Sequence, residues 1–295
     1  MIDEVKKEKL EDLWLENYGE VFTDLFFDKY EESYGSKCYV VNDDVIAGIA
    51  YRPSEYVING KILRCSYIHR PIVKDNYSFD YAKRLLEEVI EDLSKHEIIS
   101  FIGTDHQKLY EELGFEKIYK KKKYILNQDN IPTLNNYDVV FEADEVDMLK
   151  CYGKFVSYFN GYKLRNDKDF KELKEYKMSN GYKYVYFFKD NELKAYASYL
   201  DGEKVYVDEF IYLDSLSCVS IISYLIDEYK EIELTLGAAE NLDFLSHNLK
   251  YEEYDFMLAR INDYNAFNSL FNCNVNNTIQ GYMLSRKHPF ANERY

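Results

Sequence analysis

Residues 98–126, IISFIGTDHQKLYEELGFEKIYKKKKYIL, constrain the fold more than any other part of the chain. The apolar run 98–102 has the length and composition of a buried strand. A short amphipathic segment follows and stops at Gly114, and strand character resumes at Phe115. Strand, short helix and strand in direct succession place the chain among α/β (α+β) proteins.

The segments upstream fit the same architecture. Residues 4–34 show helical spacing twice, first in Leu10, Leu13 and Trp14, then in Val21, Leu25 and Phe26. A strand is expected over 38–41, a turn at Asn42-Asp43-Asp44, a returning strand over 45–51 and a third strand over 62–73. Residues 79–94 form an amphipathic helix, with Leu85, Leu86, Val89, Ile90 and Leu93 on one face. The polar stretch NQDNIPTLNN, 127–136, reads as a linker.

A second pass then begins. Helices are expected over 144–159 and 167–177, and a hairpin over 183–200 about Lys189-Asp190-Asn191. After it come a strand over 205–212, a helix over 215–229, a strand over 232–236, a helix over 240–249 and a last strand over 254–261. The order repeats that of the first half, and the hairpin cores VVNDDVIAGIAY and FFKDNELKAYASY are alike. Tandem duplication explains this economically; an unrelated α/β domain of similar order is the alternative.

The motif Leu109-Tyr110-Glu111-Glu112-Leu113-Gly114-Phe115 resembles the C-terminal signature of the GNAT acetyltransferase fold, a Tyr shortly before a Gly-Phe helix stop. With the duplication, the chain resembles the enhanced-intracellular-survival (Eis) type, in which a second, degenerate GNAT domain follows the first. That resemblance implies two tandem GNAT domains, 1–127 and 128–262, each a mixed, mostly antiparallel sheet flanked by helices. A C-terminal tail, 263–295, stands where relatives carry a sterol-carrier-like domain. The function implied is transfer of acetyl from acetyl-CoA to a primary amine, with Tyr110 returning a proton to the departing thiolate. An ordinary Tyr titrates near ~10 and a thiol near ~8.5, so that transfer demands close placement.

In the GNAT family a loop written [R/Q]-x-x-G-x-[G/A] holds the pyrophosphate of acetyl-CoA on free backbone amides at a helix N-terminus. The matching stretch here is Lys74-Asp75-Asn76-Tyr77-Ser78-Phe79-Asp80-Tyr81-Ala82. Tyr77 stands where Arg belongs and Asp80 where the first Gly belongs; Ala82 fits. In family members the main chain matching Pro71 to Val73 would hold the thioester carbonyl; Pro71 has no N–H, so the resemblance implies Ile72 or Val73 as the donor. The second half has no Gly between Gly202 and Gly237, so it lacks a cradle and suits a scaffolding role. Candidates for the base that deprotonates the amine are His69, Glu55 and, by resemblance, the terminal carboxylate of Tyr295. The lysines Lys117 and 120–123 read either as a contact to the CoA 3′-phosphate or as a solvated strand edge. No H-E-x-x-H, G-x-S-x-G or P-loop pattern occurs and no metal ligands cluster in the sequence.

With 37 basic against 53 acidic residues and a net charge of −16, nucleic acid is an unfavourable partner, and a small cationic amine is a compatible acceptor. Five scattered cysteines without a C-x-x-C pair fit a reducing cytoplasm. The charged N-terminus does not read as a signal peptide, and no apolar run reaches the ~18 residues of a membrane span. A homo-oligomer is compatible with the sequence. Against the enzyme stands a second expectation: a GNAT descendant that has lost its pyrophosphate loop and binds a ligand or partner without catalysis.

Overall fold

The structure is a computed structural model that describes residues 4–20, 23, 35–135, 137–247 and 249–292. In chain order its elements begin with α1 (Glu4–Tyr18), β1 (Gly35–Val41), β2 (Asp44–Ile58), β3 (Lys61–Ile68) and β4 (Ile72–Val73). Next come α2 (Asp80–Ser94), β5 (Ile99–Ile102), α3 (Gln107–Glu112), β6 (Glu116–Asn127) and β7 (Val139–Val140). The chain continues through α4 (Glu145–Val156), β8 (Tyr162–Lys163), α5 (Asp167–Ser179), β9 (Lys183–Lys189), β10 (Glu192–Leu200) and β11 (Val205–Tyr212). It ends with α6 (Ser215–Tyr229), β12 (Glu231–Gly237), β13 (Tyr251–Ile261), α7 (Tyr264–Phe271), α8 (Thr278–Tyr282) and a 3₁₀ turn at Met283–Ser285.

These elements form two compact units. The first runs to Ile118 and takes back Phe256–Arg286; the second holds Tyr119–Asp255 and Lys287–Asn292. The contiguous division 1–127, 128–262, 263–295 expected from the sequence is therefore not the division into compact units, which changes inside β6 and inside β13. The segment expected to be a tail is folded structure. α7 buries Phe267 and α8 buries Tyr282 in the first unit, where the Glu116 carboxylate accepts from the amides of Thr278 and Ile279.

The first unit has strand order β1-β2-β3-β5-β13, antiparallel throughout except for the parallel pair β3 and β5. α2 supplies the crossover that a parallel pair requires. Its Ala82, Leu85, Leu86, Val89, Ile90 and Leu93 recur at helical spacing and are buried. The five larger side chains pack on Ile46, Ala47, Ile49, Ile68 and Ile102, while Leu10, Leu13 and Trp14 of α1 pack with Val45, Ala50 and Ile72. The second half of the expected 4–34 helical region, with Val21, Leu25 and Phe26, lies outside the described residues.

The second unit repeats the plan with order β7-β9-β10-β11-β12-β6 and one parallel pair, β11 and β12, bridged by α6. Its buried polar centre is an ion network. Arg165 Nη1 lies 2.6 Å from Glu209 Oε1, and Lys177 Nζ lies 2.8 Å from Asp208 Oδ1 and 3.3 Å from Glu209 Oε2. Burial raises the pKa of Glu209, but Arg165 and Lys177 outweigh it and hold the carboxyl down at about 2.

Three expectations need correction. The strand expected over 45–51 continues to Ile58 and turns at Asn59-Gly60, whose φ angles of 47° and 78° make a hairpin turn with β3. The strand expected over 62–73 breaks after Ile68, and its end, Ile72–Val73, pairs with Gly48 and Ala47 instead. The helix expected over 240–249 is not formed in the described residues. There the Glu240 side chain folds back to accept from the Gly237 amide at 2.7 Å, and Asn241 Oδ1 accepts from the Asp243 amide, so local side-chain bonds compete with helix.

Candidate active site

β3 and β5 pair only over Ser66–Ser100, Tyr67–Phe101 and Ile68–Ile102. Beyond that register the strands diverge. His69 donates its amide to the Ala50 carbonyl at 2.8 Å and the chain follows β2, whereas Gly103 to His106 turn into α3. The opening at the C-terminal ends of two parallel strands is the usual place for a ligand in such a sheet.

α3 carries Tyr110 into this region. The residue is fully buried, and its hydroxyl has no hydrogen-bond partner among the described residues. Leaving such a group unsatisfied costs about 1–3 kcal/mol. Burial raises the phenol's pKa strongly; the Asp105 carboxylate adds to the shift and Arg70 opposes it. Tyr110 is held protonated.

Groups the sequence reading did not single out converge on it. The His106 ring stands 6.2 Å from that of Tyr110, edge to face, and 4.6 Å from Phe79. Burial lowers the His106 pKa, with Asp105 opposing and Arg70 assisting, so the imidazole is neutral near pH 7. Tyr18, at the end of α1, donates its hydroxyl to the Arg70 carbonyl at 2.8 Å, and its ring lies under the Arg70 guanidinium at 5.5 Å. Burial pushes the Tyr18 pKa up to about 12. The Tyr67 hydroxyl and Asp105 Oδ2 both approach the position a Cβ on Gly103 would take, at 3.2 and 3.1 Å. Spacing along the chain could not have revealed this set, because its members come from α1, the β3–β4 break, the β5–α3 turn and α3.

The other expected residues fall as follows. His69 is 1% exposed, with its ring edge-to-face to that of Tyr67. Glu55 sits opposite Arg64, midway along the β2–β3 ladder between the opening and the Asn59-Gly60 turn. Tyr295 lies outside the described residues. Lys117 pairs with Glu111, Lys120 with Glu253, and Lys123 with Glu233 and Glu252. β6 is itself paired with β12, so this lysine run is not an unpaired strand edge.

In the loop 74–82, Ile72 and Val73 lie on β4, and the Lys74 amide donates to the Ile46 carbonyl. The Lys74 ammonium is paired with Asp44 at 2.9 Å, so its charge is already engaged. Ser78 Oγ donates to Asp80 Oδ2 and accepts from the Asp80 amide. Tyr77 and Phe79 are 37% and 44% exposed, Tyr81 packs edge-to-face on Tyr39, and Ala82 is buried on the inner face of α2. The amides of Asp75, Asn76, Ser78 and Phe79 have no partner among the described residues. At its start α2 has Phe79 and no side-chain cap, whereas α6 closes its N-terminus with an Asp214–Ser217 capping box. The α2 amides of Asp80, Tyr81, Ala82 and Lys83 are nonetheless engaged, by Ser78 Oγ and by the carbonyls of Ser78 and Phe79, so it is the amides of the preceding loop that remain for an anion.

No protein-family model matches the sequence, and no curated protein sequence matches it either. Solved structures do match. A protein of unknown function from Enterococcus faecalis V583, described as a probable N-acyltransferase, superposes with a TM-score of 0.75 at 16% identity, over 88% of this chain and 71% of that one. A GCN5-related N-acetyltransferase from Anabaena variabilis gives 0.72 at 13% identity, over 88% and 71%. Eis1 from Mycobacterium abscessus gives 0.66 at 13%, over 89% and 73%. At these identities the likeness concerns the fold: a mixed, mostly antiparallel sheet flanked by helices, as in the GCN5-related N-acetyltransferases. Among the described residues no helix is long and apolar enough to cross a membrane, and no cluster of three potential metal ligands occurs.

Proposed function

We propose that this chain is a tandem, Eis-like N-acetyltransferase that moves acetyl from acetyl-CoA to the amine of a small molecule. The buried, unpartnered hydroxyl of Tyr110 at the divergence of β3 and β5 carries this reading. Acetyl-CoA would be held by the amides of the loop 74–82 ahead of α2, with Ile72 or Val73 directed at the thioester. In the reaction the amine nitrogen bonds to the acyl carbon as the carbon–sulfur bond breaks. His106, neutral near pH 7 and close to Tyr110, takes the proton from the amine, and Tyr110 gives its proton to the sulfur. The second unit, its α6 N-terminus closed by Asp214, acts as scaffold.

Two features support the alternative of a binding protein without catalysis: the engagement of Lys74 by Asp44, and Asp80 beside the expected pyrophosphate. Calorimetric titration of acetyl-CoA into the intact protein separates the two. Micromolar binding is expected, together with a fall of about 10²-fold in kcat for Tyr110→Phe at unchanged acetyl-CoA affinity. No heat at millimolar ligand would retire the enzyme.

A further inference from the structure

The charges beside Tyr110 describe the acceptor. Arg70 is half-buried, and among the described residues no carboxylate lies within ion-pair distance of it. Its guanidinium thus has no carboxylate partner among the described residues, although the chain has a net charge of −16. The side chain is also held in place: the Tyr18 ring lies 5.5 Å from its guanidinium, and the Tyr18 hydroxyl is anchored on the Arg70 carbonyl at 2.8 Å. Its charge reaches the reacting groups, since it acts on both Tyr110 and His106. Asp105 acts on the same two residues with the opposite sign. An arginine held in this manner presents a planar fork of donors matched to a carboxylate, where a lysine would offer a point charge.

We infer that the acceptor is an amine that also carries a carboxylate, an amino acid or a close analogue, with Arg70 binding the carboxylate while Asp105 and His106 face the amino group. The inference rests on the acetyltransferase reading and sharpens it: the overall acidity of the chain favours cations, but the charges at the site itself are one of each sign. An oxyanion is common to an acceptor carboxylate and to the phosphates of CoA, and the kinetics separate the two.

The test uses the whole chain, acetyl-CoA, and a panel of free amino acids, each paired with its decarboxylated amine. The carboxylated member of a pair is expected to have the higher kcat/KM by at least about tenfold. Arg70→Gln should raise KM for that acceptor by about ten- to a hundredfold, abolish the preference within the pair and leave KM for acetyl-CoA unchanged. Arg70→Lys should recover part of the loss. Equal or better use of the decarboxylated amines, unaffected by Arg70→Gln, overturns the inference. So does a rise confined to the KM of acetyl-CoA, which would assign Arg70 to a CoA phosphate. If acetyl-CoA does not bind and no amine is acetylated, the acetyltransferase reading fails instead. The anion site is then read directly by calorimetry with the same amino acids, and binding that does not depend on Arg70 overturns it.

Discussion

Glu240 is a carboxyl whose ordinary pKa of 4.5 is raised to about 7, first by burial, against the pull of the Gly237 amide, the Tyr212 hydroxyl, Lys121 and Lys122. The folded state therefore keeps a proton that the unfolded chain releases near pH 4.5. The stability this confers is complete below pH 4.5 and is lost as pH rises toward 7, amounting to about 3 kcal/mol. Denaturant melts at pH 5 and pH 8 should show that loss in the native chain and a much smaller one in Glu240→Gln. Neither Glu240 nor His106 could be picked out from the sequence, because a shifted pKa is created by what surrounds the group. Tyr110 was legible, since its spacing to Gly114 and Phe115 is local and the fold constrains that spacing directly.

Among the elements, hairpin turns were legible wherever turn chemistry and flanking apolar runs coincided. Asn42-Asp43 has φ angles of 51° and 62°, and Asp190-Asn191 has 53° and 60°, as the two repeated hairpins required. Asn59-Gly60 carries the strongest such signal, but Pro53 and the polar residues after it obscure the alternation of β2. Gly60 has φ +78°, and nothing lies within 4 Å of where its Cβ would be. Gly60→Ala should therefore cost only the backbone strain, about 1 kcal/mol, read as a drop of about 2–4 °C in Tm with activity unchanged. A loss several times larger would mean that this hairpin turn also makes packing contacts.

For the whole molecule, the pairing of β5 with β13 is decisive. Ile99, Phe101 and Ile102 are all fully buried, and their antiparallel partner comes from residues 258–261 rather than from the β6 strand that follows in sequence. Symmetrically, β12 takes β6 as its antiparallel partner. A fragment of residues 1–127, the domain the sequence suggests, retains β5 but exposes an apolar strand edge. It is expected to aggregate or to unfold without cooperativity in circular-dichroism melts, where the intact chain gives a cooperative transition. A soluble, cooperatively folding fragment would show that β13 is dispensable to the first unit.

Most of the order of elements, the turns at Asn42-Asp43 and Asp190-Asn191, the apolar face of α2 and the place of Tyr110 before Gly114 are legible in the sequence. Those properties follow from periods of 3.6 and 2 residues and from turn residues a few positions apart, so a short window contains them. Only the tertiary structure decided that β13 completes the first sheet, that the β3–β4 strand breaks after Ile68, and that Tyr18, Arg70, Asp105 and His106 gather about Tyr110. These depend on contacts between segments far apart in the chain. Packing of the whole core selects among many pairings that satisfy local preference equally well.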